Sequence, residues 1–154
     1  MVNFQFSTLN FQLSTSNMKH QVPVQLRFND TDALGHVNNS TYFSFYDLGK
    51  SEYFAAVRGN DNFFSQKVDI VVAHVEVDFI EPIFLTDRIA VETGVSHIGT
   101  KSLILEQQIV DLRTGRIKCK GSTTMVGYDF DHNITIPISQ EWREAIEKYE
   151  ERKF

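Results

Sequence analysis

A helix pattern that is apolar on nearly all of its sides runs from Asn39 to Arg58. A helix on the surface of a globular protein has one apolar stripe facing the core, whereas this pattern has apolar residues outside its main stripe as well. We therefore predict that other elements wrap around it. A glycine inside a helix costs about 1 kcal/mol relative to alanine, so Gly49 predicts a close backbone approach. The main stripe consists of Tyr42, Phe45, Tyr46, Gly49, Tyr53, Ala56 and Val57, and the residues outside it are Phe43, Leu48 and Phe54.

Strand patterns flank this helix and provide the elements that can cover it. One half-buried strand is predicted before the helix, from Gln21 to Phe28, where apolar residues alternate with polar or small ones. Consecutive strands joined by short turns pair in the antiparallel sense. Four such patterns follow the helix with no second helix between them, at Ile70 to Ile80, Ile89 to Ile98, Leu103 to Val110 and Ile117 to Tyr128.

The chain closes with an amphipathic helix pattern from Gln140 to Lys153, with Ser139 as its cap. The sequence therefore predicts an α+β fold in which a curled antiparallel sheet of about five strands wraps around one long central helix, with a short helix at the C-terminus. Such a sheet has an outer face and two edges to protect. We expect part of that surface to meet a second copy of the chain, in a homodimer or a tetramer.

Composition narrows the classes of function. With 20 acidic and 15 basic residues the net charge is −5, which argues against a nucleic-acid partner and leaves no basic run suited to a membrane surface. Cys119 is the single cysteine, so no internal disulfide can form, and no Cys/His spacing fits a zinc site. No segment approaches the roughly 18 apolar residues of a membrane span, and no signal peptide is recognisable. We expect a cytoplasmic protein without a metal.

The first seventeen residues contain a repeat, in which N-F-Q-F-S-T at positions 3–8 recurs as N-F-Q-L-S-T at positions 10–15. No other segment repeats it. We interpret residues 1–18 as an N-terminal extension that does not belong to the native protein, and residues 19–154 as a single domain. The alternative is an ordered arm, because Val2, Phe4 and Phe6 alternate as a strand would and could add to an exposed sheet edge.

Most of the polar residues whose side chains could take part in a reaction lie between Asn29 and Tyr42. Asp30 and Asp32 follow the first predicted strand, Gly35 allows a turn, and the long helix starts directly afterwards. The first N–H groups of a helix have no internal partner, and the helix dipole is positive at that end. A carboxylate beside a site that favours negative oxygen indicates acyl chemistry.

Four motifs in the chain resemble the hotdog-fold acyl-CoA thioesterases, particularly the 4-hydroxybenzoyl-CoA thioesterase-like family. The resemblance covers about residues 20–130 and agrees with the predicted order of elements. The H-V-N-N segment at positions 36–39 also looks like the corresponding part of acyl-carrier-protein thioesterases. The four motifs are D-T-D-A-L-G-H-V-N-N-S-T-Y, F-Y-D-L-G-K-S-E-Y-F, V-E-V-D-F-I-E-P-I-F-L-T-D-R and H-I-G-T-K-S-L.

The resemblance implies a role for Asp32 as the catalytic carboxylate, acting either as nucleophile or as general base. It also implies that backbone N–H groups near Asn38, Asn39 and Ser40 polarise the thioester carbonyl, with a donor from a partner subunit as the alternative. No metal or organic cofactor is implied, because coenzyme A is part of the substrate. The chain departs from the family in two places: Ala33 stands where many relatives have proline, and the H-V-N-N segment replaces apolar and aromatic residues. The second departure favours an aliphatic over an aromatic acyl group.

Each candidate residue also has an ordinary structural interpretation. Acids are common in turns because they bind nearby backbone N–H groups, and we expect Asp30 rather than Asp32 to have that role. His36 could orient Asp32 or the substrate, or simply pack at the surface. Asn38 and Asn39 could cap the helix. Candidate substrate contacts are Tyr42, Lys101 and Ser102, and the basic residues Lys101, Arg116, Lys118 and Lys120 could meet coenzyme A phosphates or form a solvated face.

Three functions are therefore compared. The first is an acyl-CoA thioesterase, with an acyl-carrier-protein thioesterase as its close alternative. The second is a module that binds acyl thioesters without hydrolysing them, and the third is a purely structural oligomer. Asp32 beside the helix start favours the first.

Overall fold

A computed structural model of the chain describes residues 18–59 and 68–154. Of the proposed extension at residues 1–18, residues 1–17 with their repeat lie outside the described residues. The elements in chain order are β1 (His20–Val24), a 3-10 turn (Phe28–Asp30), α1 (Asn39–Arg58), β2 (Val68–Phe79), β3 (Ile89–Ile98), β4 (Ser102–Asp111), β5 (Ile117–Asp129), β6 (Ile134–Ile136) and α2 (Gln140–Glu150).

The strands form one antiparallel sheet in the order β1-β3-β4-β5-β2, and β6 pairs with the end of β5. This sheet curls around α1, so the predicted hotdog fold is confirmed. The sheet has six strands, whereas the sequence predicts about five. The sequence does not predict β6 because this strand has only three residues and no alternating pattern. None of the described helices is long and apolar enough to cross a membrane.

The first strand ends earlier than predicted, at Val24 instead of Phe28. The carboxylate of Asp30 accepts a hydrogen bond from the N–H of Arg27 at 2.6 Å, and the chain turns there into the short 3-10 segment. Phe28 consequently leaves the alternation and is 81% exposed. The final helix also ends early, because Glu151 adopts a left-handed conformation that stops it.

Helix α1 has the predicted bounds, and its close approach to the sheet is at Gly49. A Cβ atom on Gly49 would lie 2.6 Å from Cγ1 of Val91 and 3.0 Å from Oγ1 of Thr93. The buried amide of Gln107 donates to the carbonyl oxygen of Tyr46 at 2.9 Å and to Oγ1 of Thr93 at 3.1 Å. The prediction of a close approach is therefore confirmed, and a side-chain hydrogen bond to the helix backbone accompanies it.

The expectation that α1 is covered on all sides is wrong for a single chain. Phe43 and Leu48 are exposed, and so is Ala56, which the main stripe includes. Phe54 is buried although it lies outside that stripe, because its ring packs edge-on against Trp142 of α2 with 5.3 Å between centroids. The sheet therefore covers one side of α1, α2 covers part of another, and the side near Phe43 stays open.

Strand β2 forms one edge of the sheet and pairs only with β5 among the described residues. A bulge between Val72 and His74 interrupts its alternation. Residues opposite each other on antiparallel strands share a face, so Val72, opposite the buried Met125, faces α1, whereas Val71 faces outward. Strict alternation along the strand predicted from Ile70 to Ile80 puts Val71 on the face of Val75, Val77 and Phe79, and this bulge makes that prediction wrong.

Candidate active site

The loop that carries Asp32 is a tight turn closed by its own backbone. Thr31 and Val37 form an isolated antiparallel bridge, and the N–H of Asp32 donates to the carbonyl oxygen of His36 at 3.0 Å. Gly35 has φ +82°, a conformation that residues with a side chain rarely adopt. The turn delivers the chain directly to the first residue of α1, so Asp32 is held close to the helix start.

The two acids of the loop have different surroundings. Oδ2 of Asp30 accepts from the N–H of Arg27, and the carbonyl oxygen of Asp30 accepts from the N–H of Asn38 at 2.8 Å. Oδ1 of Asp32 accepts from the N–H of Leu34 at 2.8 Å, and this side chain is 29% exposed. Within residues 18–59 and 68–154, the second oxygen of Asp32 makes no hydrogen bond. Both acids therefore bind a backbone N–H of the turn, so the expectation that Asp30 has this role and Asp32 does not is wrong for Asp32. The second oxygen of Asp32 can still meet a substrate or a water.

Of the two asparagines that could cap the helix, Asn38 is the one that does so. Its Oδ1 accepts from the N–H of Ser40 at 2.9 Å and from the hydroxyl of Ser40 at 2.8 Å, and its carbonyl oxygen accepts from the N–H of Thr41. The N–H of Asn38 is itself bonded to Asp30. The backbone N–H of Asn39, by contrast, has no hydrogen-bond partner in the part of the chain that the structure describes. Of the three residues predicted to supply an oxyanion donor, Asn39 is the one whose N–H is available.

His36 lies beside Asp32 without forming a hydrogen bond to it. Nδ1 of His36 is 4.0 Å from Oδ1 of Asp32, which is too long for a hydrogen bond but close enough for a charge interaction when the ring is protonated. The imidazole meets the ring of Phe84 edge-on, with 6.1 Å between centroids. The structure thus brings His36 to the candidate site and leaves its ring partly exposed.

The loop between β2 and β3, residues 80–88, forms a wall of the site that the sequence patterns did not indicate. The N–H of Val37 donates to the carbonyl oxygen of Ile83 at 2.8 Å, and His36 forms a backbone bridge with Phe84. Val37 and Ile83 are buried in one cluster. The signal in the sequence was the E-P-I-F-L-T-D-R motif, whose proline and aspartate mark a fixed loop without showing what it contacts.

Tyr42 lies in the core and not on an open channel. It is 3% exposed and packs edge-on against Phe79 with 5.0 Å between centroids. Burial raises the pKa of its hydroxyl to about 12, so the phenol stays neutral. In a single chain Tyr42 therefore packs the first turn of α1 against the sheet.

Lys101 and Ser102 lie at the far end of the sheet from Asp32. The wall loop, residues 80–88, ends where β3 begins, whereas Lys101 and Ser102 follow the end of β3. A ten-residue strand separates its two ends by roughly 30 Å. Nζ of Lys101 donates to the carbonyl oxygen of Thr135 at 3.0 Å. One chain does not bring these two residues to the candidate site.

Two of the four basic residues considered for coenzyme A phosphates bind acids of the chain instead. Lys118 is buried and lies between Glu81 and Asp87, while Arg116 forms an ion pair with Glu81. Lys118 is therefore not part of a solvated face. Across the described residues, no group of three or more His, Cys, Asp or Glu side chains is arranged to hold a metal ion.

Comparison with known proteins gives consistent matches. A family model described as the thioesterase-like superfamily matches residues 26–146. The acyl-CoA thioester hydrolase YbgC of Escherichia coli O6:H1 is 28% identical over 90 residues, which cover 58% of this chain and 67% of that protein. The long-chain acyl-CoA thioesterase FadM of Escherichia coli K12 is 23% identical over 131 residues, which cover 83% of this chain and 97% of that protein.

A solved structure shares both fold and sequence with the chain. It is a thioesterase from Thermus thermophilus in complex with coenzyme A and zinc. The TM-score is 0.74 and the identity 31%, and the match covers 87% of this chain and 96% of the other.

Proposed function

The chain belongs to the thioesterase-like superfamily and is a thioester hydrolase, and we propose that it hydrolyses acyl-CoA with Asp32 as the catalytic carboxylate. One observation supports this assignment above the others: the partly exposed carboxylate of Asp32 and the available N–H of Asn39 belong to one short segment at the start of α1. Thioester hydrolysis needs a group that attacks the carbonyl carbon or activates a water, which a carboxylate can do, and a donor for the oxygen that becomes negative.

The chemistry at Asp32 follows one of two balanced routes. As a nucleophile, an oxygen of Asp32 attacks the thioester carbon, the C–S bond breaks, and the coenzyme A thiolate leaves and takes up a proton. Water then hydrolyses the mixed anhydride. As a general base, Asp32 takes a proton from a water that attacks the same carbon, the C–S bond then breaks, and the proton passes to the leaving coenzyme A thiolate. In both routes the carbonyl oxygen becomes negative, and the N–H of Asn39 stabilises it.

The test is the Asp32→Asn variant, which keeps the shape of the side chain and its acceptor for the N–H of Leu34. We expect thiol release from acyl-CoA to fall by roughly a thousandfold or more, because the amide is neither a base nor a nucleophile. Asp30→Asn is the matched control two residues away, since its amide oxygen can still accept from Arg27 and most activity should persist. An Asp32→Asn enzyme with wild-type turnover would refute the proposal.

The proposed substrates are aliphatic acyl-CoA thioesters. The H-V-N-N segment supports this choice, and one relative is named a long-chain acyl-CoA thioesterase. A thiol-release screen with short, long and aromatic acyl-CoA substrates and with acyl-carrier protein tests it. Preference for aromatic acyl-CoA would exclude the aliphatic assignment, and preference for the carrier protein would favour the second candidate. Binding without thiol release under every condition would indicate the non-hydrolytic module.

The working form that we propose is a homodimer joined along the free edge of β2. Unpaired strand edges accept further strands, and β2 carries the exposed apolar residues Val72, Val75 and Phe79. Antiparallel pairing of two β2 strands would bring the end of one sheet that carries Lys101 and Ser102 toward the Asp32 end of the other. Small-angle scattering of a monomer at assay concentrations would contradict this arrangement.

The proposal also includes a reducing, cytoplasmic setting and no cofactor beyond the coenzyme A of the substrate. Cys119 is a free, buried thiol. Activity that persists after exhaustive chelation, with no metal detected by mass spectrometry of the intact protein, is the expected result.

A further inference from the structure

The wall loop, residues 80–88, supports the segment from Asp32 to Asn39 but makes few regular strand contacts of its own. Its inner residue Ile83 is fully buried, and the carbonyl oxygen of Ile83 holds the N–H of Val37 two residues before the helix starts. The next residue, Phe84, bridges to His36. Any displacement of this loop would therefore move the backbone between Asp32 and Asn39.

A single ammonium group holds this loop at three points. Nζ of Lys118 lies 3.2 Å from the carbonyl oxygen of Pro82, 3.4 Å from Oε2 of Glu81 and 3.5 Å from Oδ2 of Asp87. An ammonium has three N–H donors, and three acceptors surround this one. The side chains of Lys118 and Asp87 are each only 10% exposed. The lysine thus ties the beginning of the loop to its end.

Backbone contacts fix the loop to the same residue. The N–H groups of Ile80 and Glu81 both donate to the carbonyl oxygen of Lys118 at 2.9 Å. Asp87 in turn holds the inner part, since its Oδ2 accepts from the N–H of Phe84 at 3.0 Å. A continuous series of contacts therefore runs from Lys118 through Asp87 and Phe84 to His36.

We propose that Lys118 is a positioning residue for hydrolysis, which holds the 80–88 loop in the conformation that fixes Asp32 relative to the N–H of Asn39. The inference rests on the proposed role of Asp32. Without the ammonium, the largely buried carboxylates of Glu81 and Asp87 would face a common space with part of their compensating charge removed. The loop would open, and Ile83 and Phe84 would no longer support the segment that carries Asp32.

The main test is Lys118→Met, which removes the charge and keeps the length of the side chain. We expect kcat to fall on the order of 10- to 100-fold, because small misplacements of reacting groups have effects of that size. KM for acyl-CoA should change little, since Lys118 does not touch the substrate. Hydrogen exchange should accelerate in peptides that cover residues 29–42 and 80–88 but not in α2. Lys148→Met, which removes an exposed ammonium from α2, should change neither activity nor exchange.

A conservative variant separates charge from packing. Lys118→Arg keeps a positive donor for Glu81 and Asp87, and we expect it to recover most of kcat. A folded arginine variant no more active than Lys118→Met would overturn the proposal, and so would a methionine variant with wild-type kcat. If Lys118→Met does not fold, Asp87→Asn takes its place, because it removes one charge and keeps an acceptor for Phe84. Unchanged kcat and exchange in that variant would also overturn the proposal.

Combining variants distinguishes this inference from the proposed function. If Lys118 acts through Asp32, adding Lys118→Met to Asp32→Asn should cost much less activity than adding it to the wild type. An equal fold-loss in the two backgrounds would refute action through Asp32. Faster exchange in residues 29–42 does not depend on catalysis, so it should appear in both backgrounds. If the Asp32→Asn enzyme is active and Lys118→Met still accelerates exchange in it, the catalytic role of Asp32 is refuted. The contact between Lys118 and the 80–88 loop is then still supported.

Discussion

The backbone N–H of Asn39 is the donor on which oxyanion stabilisation depends in the proposed reaction. Its neighbours are occupied: the N–H of Asn38 binds Asp30, and the N–H of Ser40 binds the Asn38 side chain. These two bonds fix the helix start and leave one donor at the positive end of the helix dipole. At this helix end the N–H groups of Asn38 and Ser40 therefore have structural roles, and the N–H of Asn39 between them is the one that we propose for catalysis.

Asn39→Pro removes that donor with little other change. Asn39 is the first helical residue, where proline is favoured, and Asn38 before it is extended with φ −61° and ψ 136°, as a residue preceding proline should be. We expect kcat to fall about 100- to 1000-fold with the fold intact, since one oxyanion donor contributes that much. Stopped-flow thiol release and circular dichroism are the measurements.

Asn39→Ala is the matched control, because it removes the side chain and keeps the N–H. Activity close to that of the wild type is expected for it. If Asn39→Pro folds and turns over at the rate of Asn39→Ala, the oxyanion donor lies elsewhere.

The contact between α1 and the sheet depends on Gly49. A methyl group there would overlap Cγ1 of Val91 at 2.6 Å and would also lie only 3.1 Å from Nε2 of Gln107. We expect Gly49→Ala to lower the free energy of unfolding by about 1–3 kcal/mol, despite the higher helix propensity of alanine. Urea denaturation measures it.

The double variant Gly49→Ala with Val91→Ala checks the cause. Because the smaller residue frees the space that the new methyl needs, its loss of stability should be less than the sum of the two single losses. Additive losses would show that the overlap with Val91 is not responsible.

The choice of Asp32 over Asp30 as the catalytic residue came from the resemblance to the thioesterase family and stays a prediction, whereas the bounds of α1 and β3 could be predicted from the sequence because apolar spacing decides them. The bulge in β2 could not, since one extra residue changes the face of every residue beyond it. The roles of Asn39 and Lys118 depend on which neighbouring groups are already bonded. Spacing along the chain does not contain that information.

At the level of the whole molecule, a cluster of polar and aromatic side chains from β1, α1 and α2 joins the first strand of the domain to its last helix. Nδ1 of His20 is 2.8 Å from the hydroxyl of Tyr149, and the hydroxyl of Tyr53 donates to Glu150 at 2.7 Å. Nε2 of His20 is buried without a partner among the described residues. Burial lowers the pKa of His20, against the opposing charges of Glu52 and Glu150.

This cluster makes stability depend on pH in a defined window. The unfolded chain binds a proton on His20 below the ordinary value of 6.5, whereas the folded chain resists it until its lowered pKa is reached. The free energy of unfolding should therefore fall as the pH falls from 6.5 toward that lower value. His20→Gln should flatten the slope there, and His97→Gln, which removes an exposed histidine, should not. Equal slopes in wild type and His20→Gln would contradict the assignment.

The short turn that carries Asp32 has a consequence for how this enzyme can diversify. The two groups proposed for the reaction are separated by only six residues in the chain, at positions 33–38, so their relative geometry depends mainly on one closed loop. In the homodimer that we propose, the surface that meets an acyl chain would include the exposed apolar residues of β2 and a second copy of the chain, which lie outside this loop. Substitutions there can change which acyl group is accepted while the reacting groups keep their distance. Selectivity and chemistry are therefore free to evolve on separate parts of the chain.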